Sequence, residues 1–499
     1  MKYLFLALFI VIMISVGIIS RRKVNNVQDF LLGGRKVGPW ISAFSYGTAY
    51  FSAVIFIGYA GKIGWGFGIS ATWVGIGNAI IGSLLAWLVL AKRTRKMTRE
   101  LNASTMPEFF EKRYGSKAMK IVAALIIFIF LVPYSASVYQ GLSYLFERAL
   151  GIPFIYCMMT MAILTGLYLL LGGYIATAVN DFIQGIIMII GVVFMIYFIV
   201  ANPAVGGLAS GIDKLSKIPE TGGDLVKVFS GQPLNLLALV ILTSLGTWGL
   251  PQMVHKFYTI RDENAIKKGT VISTIFATLI AGGAYFVGSF GRLFLNNELP
   301  TVNGKANFDM IMPQVLEKAM PDSLMGIIIV LVLSASMSTL ASLVLVSSSA
   351  ISLDLVKGTL FPNMKKEKVM FLMRILCAAF VALSFIVAIT PNAILTLMSF
   401  SWGTIAGSFL APFLYGLYWK GTTKAGAWAG IITGFGCSIG GTLIYGMNAQ
   451  YAPNIGAVAM LASLVAVPVV SHMTAKLPEE QVEKVFNGKV DESQLSLDS

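Results

Sequence analysis

Charge is the scarcest property of this sequence of 499 residues. Only 12% of the residues are charged, whereas 56% are hydrophobic and the mean hydropathy is +0.78. A soluble domain has about 25% charged residues, so this chain could not cover a water-exposed surface of its size. The scarcity excludes a soluble protein and predicts that lipid surrounds most of the chain.

Cysteine and histidine are also scarce, which bears on enzymes and metal sites. The three cysteines lie far apart inside apolar runs, and the two histidines, His255 and His472, each lie at the end of an apolar run. No metal-site or redox spacing and no nucleophile–base pair is present. We therefore expect neither an enzyme nor an organic cofactor.

The net charge of +14 would suggest a nucleic-acid partner in a soluble protein. Here the basic residues lie in short loops between apolar runs, which points to membrane topology instead. We expect no nucleic-acid partner, and nothing in the sequence implies an obligate protein partner.

Thirteen stretches are apolar and long enough to cross a bilayer, which requires about 20 residues each. They cover residues 2–20, 38–62, 69–91, 119–145, 152–172, 175–200, 234–257, 269–294, 323–352, 369–390, 392–417, 425–446 and 453–473. The sequence thus predicts an all-α, polytopic membrane protein. We expect one transmembrane domain over residues 1–474 and a loosely ordered cytoplasmic tail over 475–499. The first stretch is expected to remain as a helix rather than be cleaved, because its positive charges follow it.

The basic residues predict the orientation of the chain. If the N-terminus lies outside, 28 of the 37 Lys and Arg residues fall on the cytoplasmic side, with Lys256 counted among them. Cytoplasmic loops carry an excess of Lys and Arg, so this split is the favoured one. We expect a multi-pass plasma-membrane protein with its N-terminus outside and its C-terminus in the cytoplasm.

Two spans are poorly suited to lipid because small, polar and helix-breaking residues interrupt them. These interruptions lie at 45–53 in the second span and at 243–252, which includes Pro251, in the seventh. Interrupted helices in corresponding positions of two halves are typical of a transporter site within an inverted repeat. The offset of five spans makes the two repeats opposite in topology. Close helix packing through small residues is the alternative explanation.

Two further spans carry polar groups that need an explanation. Ser338 and Thr339 are adjacent in the ninth span, one turn after Ala335, and Asp181 lies near the inner end of the sixth. Hydroxyls can bond back to their own helix, and a carboxylate can cap one. Ionisable groups in membrane spans are costly and mostly functional, however, and neutral oxygens suit Na⁺.

Motifs along most of the chain resemble the sodium:solute symporter family, whose members include the sodium/proline and sodium/pantothenate symporters. The strongest is Met337-Ser338-Thr339-Leu340. The others lie at 29–35, 45–61, 102–110, 172–184, 251–257, 347–350, 401–403 and 426–430. The resemblance implies a ten-helix inverted-repeat core of the leucine-transporter type over about 38–417. Extra helices would lie at 2–20 and 425–473.

The resemblance also implies where the ion and the solute bind. The Na⁺ ligands would be the carbonyls of Thr48, Phe51 and Ala335 and the hydroxyls of Ser338 and Thr339. Asp181 would lie on the path by which Na⁺ leaves for the cytoplasm. Polar and aromatic side chains near the two interrupted helices are expected beside the solute: Tyr46, Tyr50, Ser52, Tyr134, Gln140, Thr243, Thr247, Trp248 and Gln252.

These features predict a sodium-coupled secondary symporter that imports a small polar organic solute by alternating access. The solute would be an amino acid such as proline or a carboxylate such as pantothenate, and the other partner is the bilayer. A proton-coupled carrier of the same fold, with Asp181 as the proton site, is one alternative. A transporter-like membrane sensor is the other, but the chain runs only about 26 residues past its last predicted span, with no kinase-like segment.

Overall fold

The computed structural model describes residues 2–21, 27–302, 304–390 and 393–487, and these residues are almost entirely helical. Within them, ten helices are long and apolar enough to cross a membrane. They are Val54–Glu100, Lys117–Leu150, Gly173–Ala201, Pro233–Tyr258, Glu263–Gly288, Met325–Leu360, Lys366–Ile389, Ile394–Tyr418, Lys424–Tyr445 and Ala452–Met473. Two shorter apolar helices are Tyr3–Ile19, within the helix Lys2–Arg21, and Phe154–Gly166.

The remaining elements are short. The short helices are Val27–Leu32, Pro39–Tyr50, Met106–Tyr114, Leu208–Ser216, Gly291–Phe294, Ile311–Ala319 and Glu479–Asn487. The strands of the described residues form one antiparallel hairpin, in which Thr301–Val302 pairs with Lys305–Ala306. The predicted all-α class is therefore confirmed.

Glycines with positive φ divide two overlong helical runs. Val54–Glu100 has 47 residues, about 70 Å of helix, whereas the bilayer core is about 30 Å thick. Gly68 reverses the chain at φ +55°, and a Cβ there would lie 2.1 Å from the Leu225 carbonyl oxygen. Gly173 breaks the run Phe154–Ala201 in the same way, at the predicted Gly172-Gly173 break. The division at Gly68 makes two segments of Val54–Glu100. The ten long helices then count as eleven, and with the two shorter ones they correspond to the thirteen predicted spans.

Both predicted interruptions are real breaks in helices. The first broken helix, residues 39–67, loses helical geometry at Phe51 and Ser52 and resumes at Val54. The second broken helix, Pro233–Tyr258, breaks at Gly249 and Leu250. Leu250 is extended because it precedes Pro251, which disfavours helical geometry in the residue before it.

The two broken helices lie in the interior beside a helix rich in serine. The most apolar parts of Met325–Leu360 and Ile394–Tyr418 are 94% buried, whereas that of Lys424–Tyr445 is 28% buried. We call Met325–Leu360 the serine-rich helix. Its hydroxyl groups face protein rather than lipid, so they can contribute to an internal site.

The ends of the two broken helices on the predicted cytoplasmic side are tied together. The Val37 N–H donates to the Thr259 carbonyl (3.2 Å), and the Arg261 N–H donates to the Val37 carbonyl (3.0 Å). The guanidinium groups of Arg95 and Arg99 donate to the Ile260 carbonyl, at 3.0 and 3.2 Å. We call this set of contacts the inner clasp. It holds the two broken helices together at that side of the protein.

The prediction of a loosely ordered tail is wrong for its first part. Residues Glu479–Asn487 form a helix whose Val485 and Phe486 are buried. The Phe486 ring lies 5.2 Å from the Arg113 guanidinium carbon. Apolar residues on one face let this charged segment dock on the protein. Residues 488–499 lie outside the described part of the chain.

Candidate ion and solute sites

The break in the first broken helix leaves carbonyl groups that face the serine-rich helix. A helix end has carbonyls without partners in the helix, and the helix Pro39–Tyr50 ends at the break. The Thr339 hydroxyl donates to the carbonyls of Thr48 (3.2 Å) and Ala49 (3.3 Å). The Ser338 hydroxyl lies 2.8 Å from the Thr48 hydroxyl. We call Thr48, Ser338 and Thr339 the upper rung.

Asp181 lies against the upper rung and is fully buried. Its Oδ1 accepts a hydrogen bond from Ser338 at 2.6 Å. Its Oδ2 accepts one from Ser45, which lies one turn before Thr48 on the first broken helix. The carboxylate therefore connects two levels of the same pair of helices.

The second level contains Lys256, which was predicted to lie on the cytoplasmic side. The Lys256 ammonium lies 2.8 Å from the Ser45 hydroxyl, 3.0 Å from the Ser342 hydroxyl and 3.4 Å from Asp181 Oδ2. It also lies 5.3 Å from the centre of the Tyr174 ring, a favourable cation–π distance. We call Ser45, Ser342 and Lys256 the lower rung.

Lys256 is therefore not a solvated loop charge, since its side chain is only 2% exposed. The second broken helix continues to Tyr258, so Lys256 still lies within the packed helices, where Asp181 compensates its charge. A buried carboxylate in a membrane span needs a partner. That requirement was the available signal for Lys256, but the two residues are 75 positions apart.

The predicted Na⁺ ligands thus lie in one region of the protein. Thr48, Ser338 and Thr339 are in mutual contact, while Phe51 is at the break itself and Ala335 is one turn before Ser338 on the serine-rich helix. All the donor atoms are oxygens. The described residues contain no cluster of His, Cys, Asp and Glu that could hold a metal ion. Such a set, with unwound carbonyls, fits an alkali cation rather than a transition metal.

A small central cavity lies beside the two helix breaks. Three of the predicted solute residues line it, namely Tyr50, Ser52 and Thr243. Its volume is about 20 Å³, which is room for about one water molecule. Helices would have to move apart for an organic solute to fit.

The cavity also has lining residues that were not predicted from the sequence. Asn78 Oδ1 accepts hydrogen bonds from Thr243 (2.9 Å) and Ser244 (3.0 Å). Tyr285 and Trp402 complete the polar and aromatic wall. Asn78 is an isolated amide in an apolar span, which was a usable signal. Trp402 lies within a family motif.

The other predicted solute residues lie outside this cavity. Tyr46 and Thr247 donate to the Gly82 carbonyl, and Trp248 donates to the Ile81 carbonyl, so these side chains brace a neighbouring helix. The remaining three side chains, those of Tyr134, Gln140 and Gln252, lie in different surroundings.

Tyr134 packs edge-on against Trp402, at 5.7 Å between ring centres, and so lies just behind the cavity wall. Gln140 does not reach the cavity, because its amide donates to the carbonyls of Ala388 (3.1 Å) and Thr390 (3.0 Å). Gln252 is buried, and within the described part of the chain its amide has no hydrogen-bond partner.

A larger vestibule of about 450 Å³ lies one helical turn away from the central cavity, on the predicted outer side. Leu239 and Leu395 line the vestibule, while Thr243 and Met398 line the cavity on the same helices. Among the described residues that line the vestibule, Lys62 is the charged one. Five amide side chains also line it, among mainly apolar residues: Gln232, Asn235, Asn448, Gln450 and Asn454.

Comparison with known proteins identifies a family for nearly the whole chain. A family model described as the sodium:solute symporter family matches residues 30–434. A sodium/proline symporter of Staphylococcus aureus (strain bovine RF122 / ET3-1) is 30% identical over 444 residues, covering 87% of this chain and 84% of that protein. A sodium/proline symporter of Salmonella typhimurium is 29% identical, covering 85% and 84%.

Solved structures agree on the fold. A Na⁺-coupled sialic acid symporter in a substrate-bound, outward-open state superposes with a TM-score of 0.78 at 17% identity, covering 95% of this chain and 98% of that one. The nucleobase-cation-symport-1 transporter Mhp1, in a closed conformation, gives 0.50 at 15% identity, covering 91% and 97%. At these identities the likeness shows a shared transporter fold.

Proposed function

This chain belongs to the sodium:solute symporter family, and from that premise we propose that it imports a small carboxylate-bearing solute together with Na⁺. The upper rung is the main support for this proposal, because the carbonyls of a broken helix and the hydroxyls of Ser338 and Thr339 lie together there. The coupling ion is held by Thr48, Phe51, Ala335, Ser338 and Thr339 in this proposal.

Three features support Na⁺ at the upper rung. The helix break supplies carbonyl oxygens, and the Thr339 hydroxyl donates to two of them within 3.3 Å. The Ser338 hydroxyl lies beside the Thr48 hydroxyl, and Asp181 adds negative charge next to Ser338. A bound cation would replace the hydrogen bonds that now hold the break. It would therefore order the first broken helix and favour one conformation. Asp181, already bonded to Ser338, is positioned to take the ion as it leaves.

The solute site we propose is the central cavity, enlarged when the helices separate. Tyr50, Ser52, Thr243 and Asn78 supply hydrogen-bonding groups, and Trp402 supplies an apolar wall. Lys62 in the vestibule above would attract a carboxylate on its way in. The relatives named as sodium/proline symporters make proline the first candidate, with pantothenate-like carboxylates the second.

Alternating access would follow from opening one end of the broken helices and closing the other. The inner clasp closes the predicted cytoplasmic side, while the vestibule remains open on the outer side. Each ligand would raise the affinity of the other by stabilising the same conformation. In this proposal the N-terminus lies outside the cell and the C-terminus lies in the cytoplasm. Na⁺ entering down its gradient then drives uptake of the solute.

The test is uptake of radiolabelled L-proline and pantothenate into proteoliposomes. We expect an inward Na⁺ gradient to drive accumulation of at least one solute, and the combined Ser338→Ala and Thr339→Ala changes to abolish it. Uptake that proceeds equally in choline chloride would contradict sodium coupling. Uptake driven by a pH gradient without Na⁺ would favour the proton-coupled alternative.

A further inference from the structure

The two rungs have matching sets of oxygen ligands. At the upper rung, a hydroxyl of the first broken helix (Thr48) and one of the serine-rich helix (Ser338) lie beside Asp181 Oδ1. One turn away on both helices, at the lower rung, the hydroxyls of Ser45 and Ser342 and Asp181 Oδ2 surround the Lys256 ammonium. The same carboxylate therefore serves two equivalent positions, each of which could hold a cation.

The two positions differ in what fills them. At the lower rung the Lys256 ammonium donates to oxygens of both helices, at 2.8 and 3.0 Å, and pairs with the carboxylate. The same group is 2% exposed, and the Tyr174 ring covers another side of it. A primary ammonium and an alkali ion both carry one positive charge and both prefer oxygen ligands.

We propose that Lys256 is a tethered cation that occupies the lower rung, so that the protein binds one Na⁺, at the upper rung, rather than two. This inference rests on the proposed function, since it takes the upper rung as the Na⁺ site. Lys256 neutralises Asp181 permanently and moves no charge across the membrane. The single Na⁺ then supplies all the ion-coupled charge movement of one transport cycle.

The number of bound ions distinguishes this role from a purely structural ion pair. Removing the ammonium while keeping Asp181 would leave a carboxylate, two hydroxyls and free space at the lower rung. A second Na⁺ should then bind there. A structural brace would lower stability when removed but would not create a new requirement for Na⁺.

The experiment measures the melting temperature of the purified full-length protein against Na⁺ concentration, with choline chloride holding ionic strength constant. Stabilisation by a ligand grows with the logarithm of its concentration, in proportion to the number of ions bound. We expect a slope for one ion in the wild type and about twice that slope for Lys256→Ala. Lys256→Arg, which keeps the charge, should retain the wild-type slope.

A double variant protects the test against simple misfolding. Combining Asp181→Asn with Lys256→Ala removes both charges, so the protein should fold without Na⁺ at the lower rung and return to the slope for one ion. No solute is needed in any of these measurements, so they do not depend on knowing the cargo.

The outcomes separate this inference from the proposed function. A wild-type slope for Lys256→Ala, or a slope for two ions in the wild type, would overturn the tethered-cation role. If Na⁺ raises the melting temperature of Lys256→Ala but not that of the wild type, the role proposed for Lys256 is supported and the proposed sodium coupling of the wild type is refuted. If neither protein responds to Na⁺, both proposals fail.

Discussion

The upper and lower rungs share two helices and one carboxylate, yet they differ in how firmly they are held. At the upper rung the hydroxyls contact another hydroxyl, helix-end carbonyls and one oxygen of Asp181, and a bound ion could replace these hydrogen bonds. At the lower rung a charge is covalently attached to the second broken helix. One turn of helix thus separates a position suited to exchange from one suited to permanent occupancy.

The difference shows how a single buried acid can serve a transport cycle. A carboxylate alone in a membrane interior is costly and needs a positively charged partner. With Lys256 on one oxygen, Asp181 needs no second ion, and its other oxygen still orients Ser338. In the proposed arrangement, the ion pair at the lower rung would weaken the binding of Na⁺ at the upper rung and so favour its release.

The largest expected effect comes from breaking the upper rung. Combining Ser338→Ala with Thr339→Ala removes two hydroxyls, each worth about 1.5–3 kcal/mol when bonded to a charged group. Na⁺-driven uptake should fall by about a hundredfold or more. Ser336→Ala is the matched control, because that hydroxyl bonds to Val332 of its own helix. An equal loss in both variants would mean that the upper rung has no special role.

Breaking the lower rung should affect stability more than affinity. Without Na⁺, Lys256→Ala leaves the Asp181 carboxylate buried and unpaired, which costs about 3–5 kcal/mol. Chemical or thermal unfolding in Na⁺-free detergent solution measures this cost. Adding Asp181→Asn should recover most of it. A loss in the double variant as large as in Lys256→Ala would show that the charges are not what couples the two residues.

The smallest expected effects come from removing a single hydroxyl of the serine-rich helix, either at the upper rung (Thr339) or at the lower rung (Ser342). Thr339→Ala should raise the Na⁺ concentration for half-maximal uptake about tenfold, since one ligand hydroxyl is lost. Ser342→Ala should leave that concentration unchanged and lower stability by about 1–2 kcal/mol, because it removes one bond to the ammonium. If Ser342→Ala raised the Na⁺ requirement as much, the two rungs would not be functionally distinct.

The fold could be predicted well because its signals are local. The lengths of the apolar runs located the spans. The break at Gly249 and Leu250 could be predicted because Pro251 follows directly in the sequence. The first break is different, since Phe51 and Ser52 are not helix breakers. It was predicted from the small polar residues around it, and in the structure Thr339, nearly 300 residues away, contacts the carbonyls that the break leaves.

The sites were harder to predict because they depend on tertiary pairing. Asp181 could be recognised from its cost in a membrane, but no local pattern connects it to Lys256. Gln140 looked like a solute ligand, whereas its amide satisfies the carbonyls at the end of a neighbouring helix. The docked helix Glu479–Asn487 was missed because its composition is polar and only one face is apolar.

The most direct test of a single exchangeable Na⁺ is the coupling ratio. It is measured as the initial rate of radiolabelled Na⁺ entry into proteoliposomes divided by that of radiolabelled L-proline under the same conditions. One Na⁺ per proline is the expected result for the wild type, with no coupled uptake after the Ser338→Ala and Thr339→Ala changes. Two Na⁺ per solute, or solute uptake independent of Na⁺, would contradict a single exchangeable ion above a tethered one.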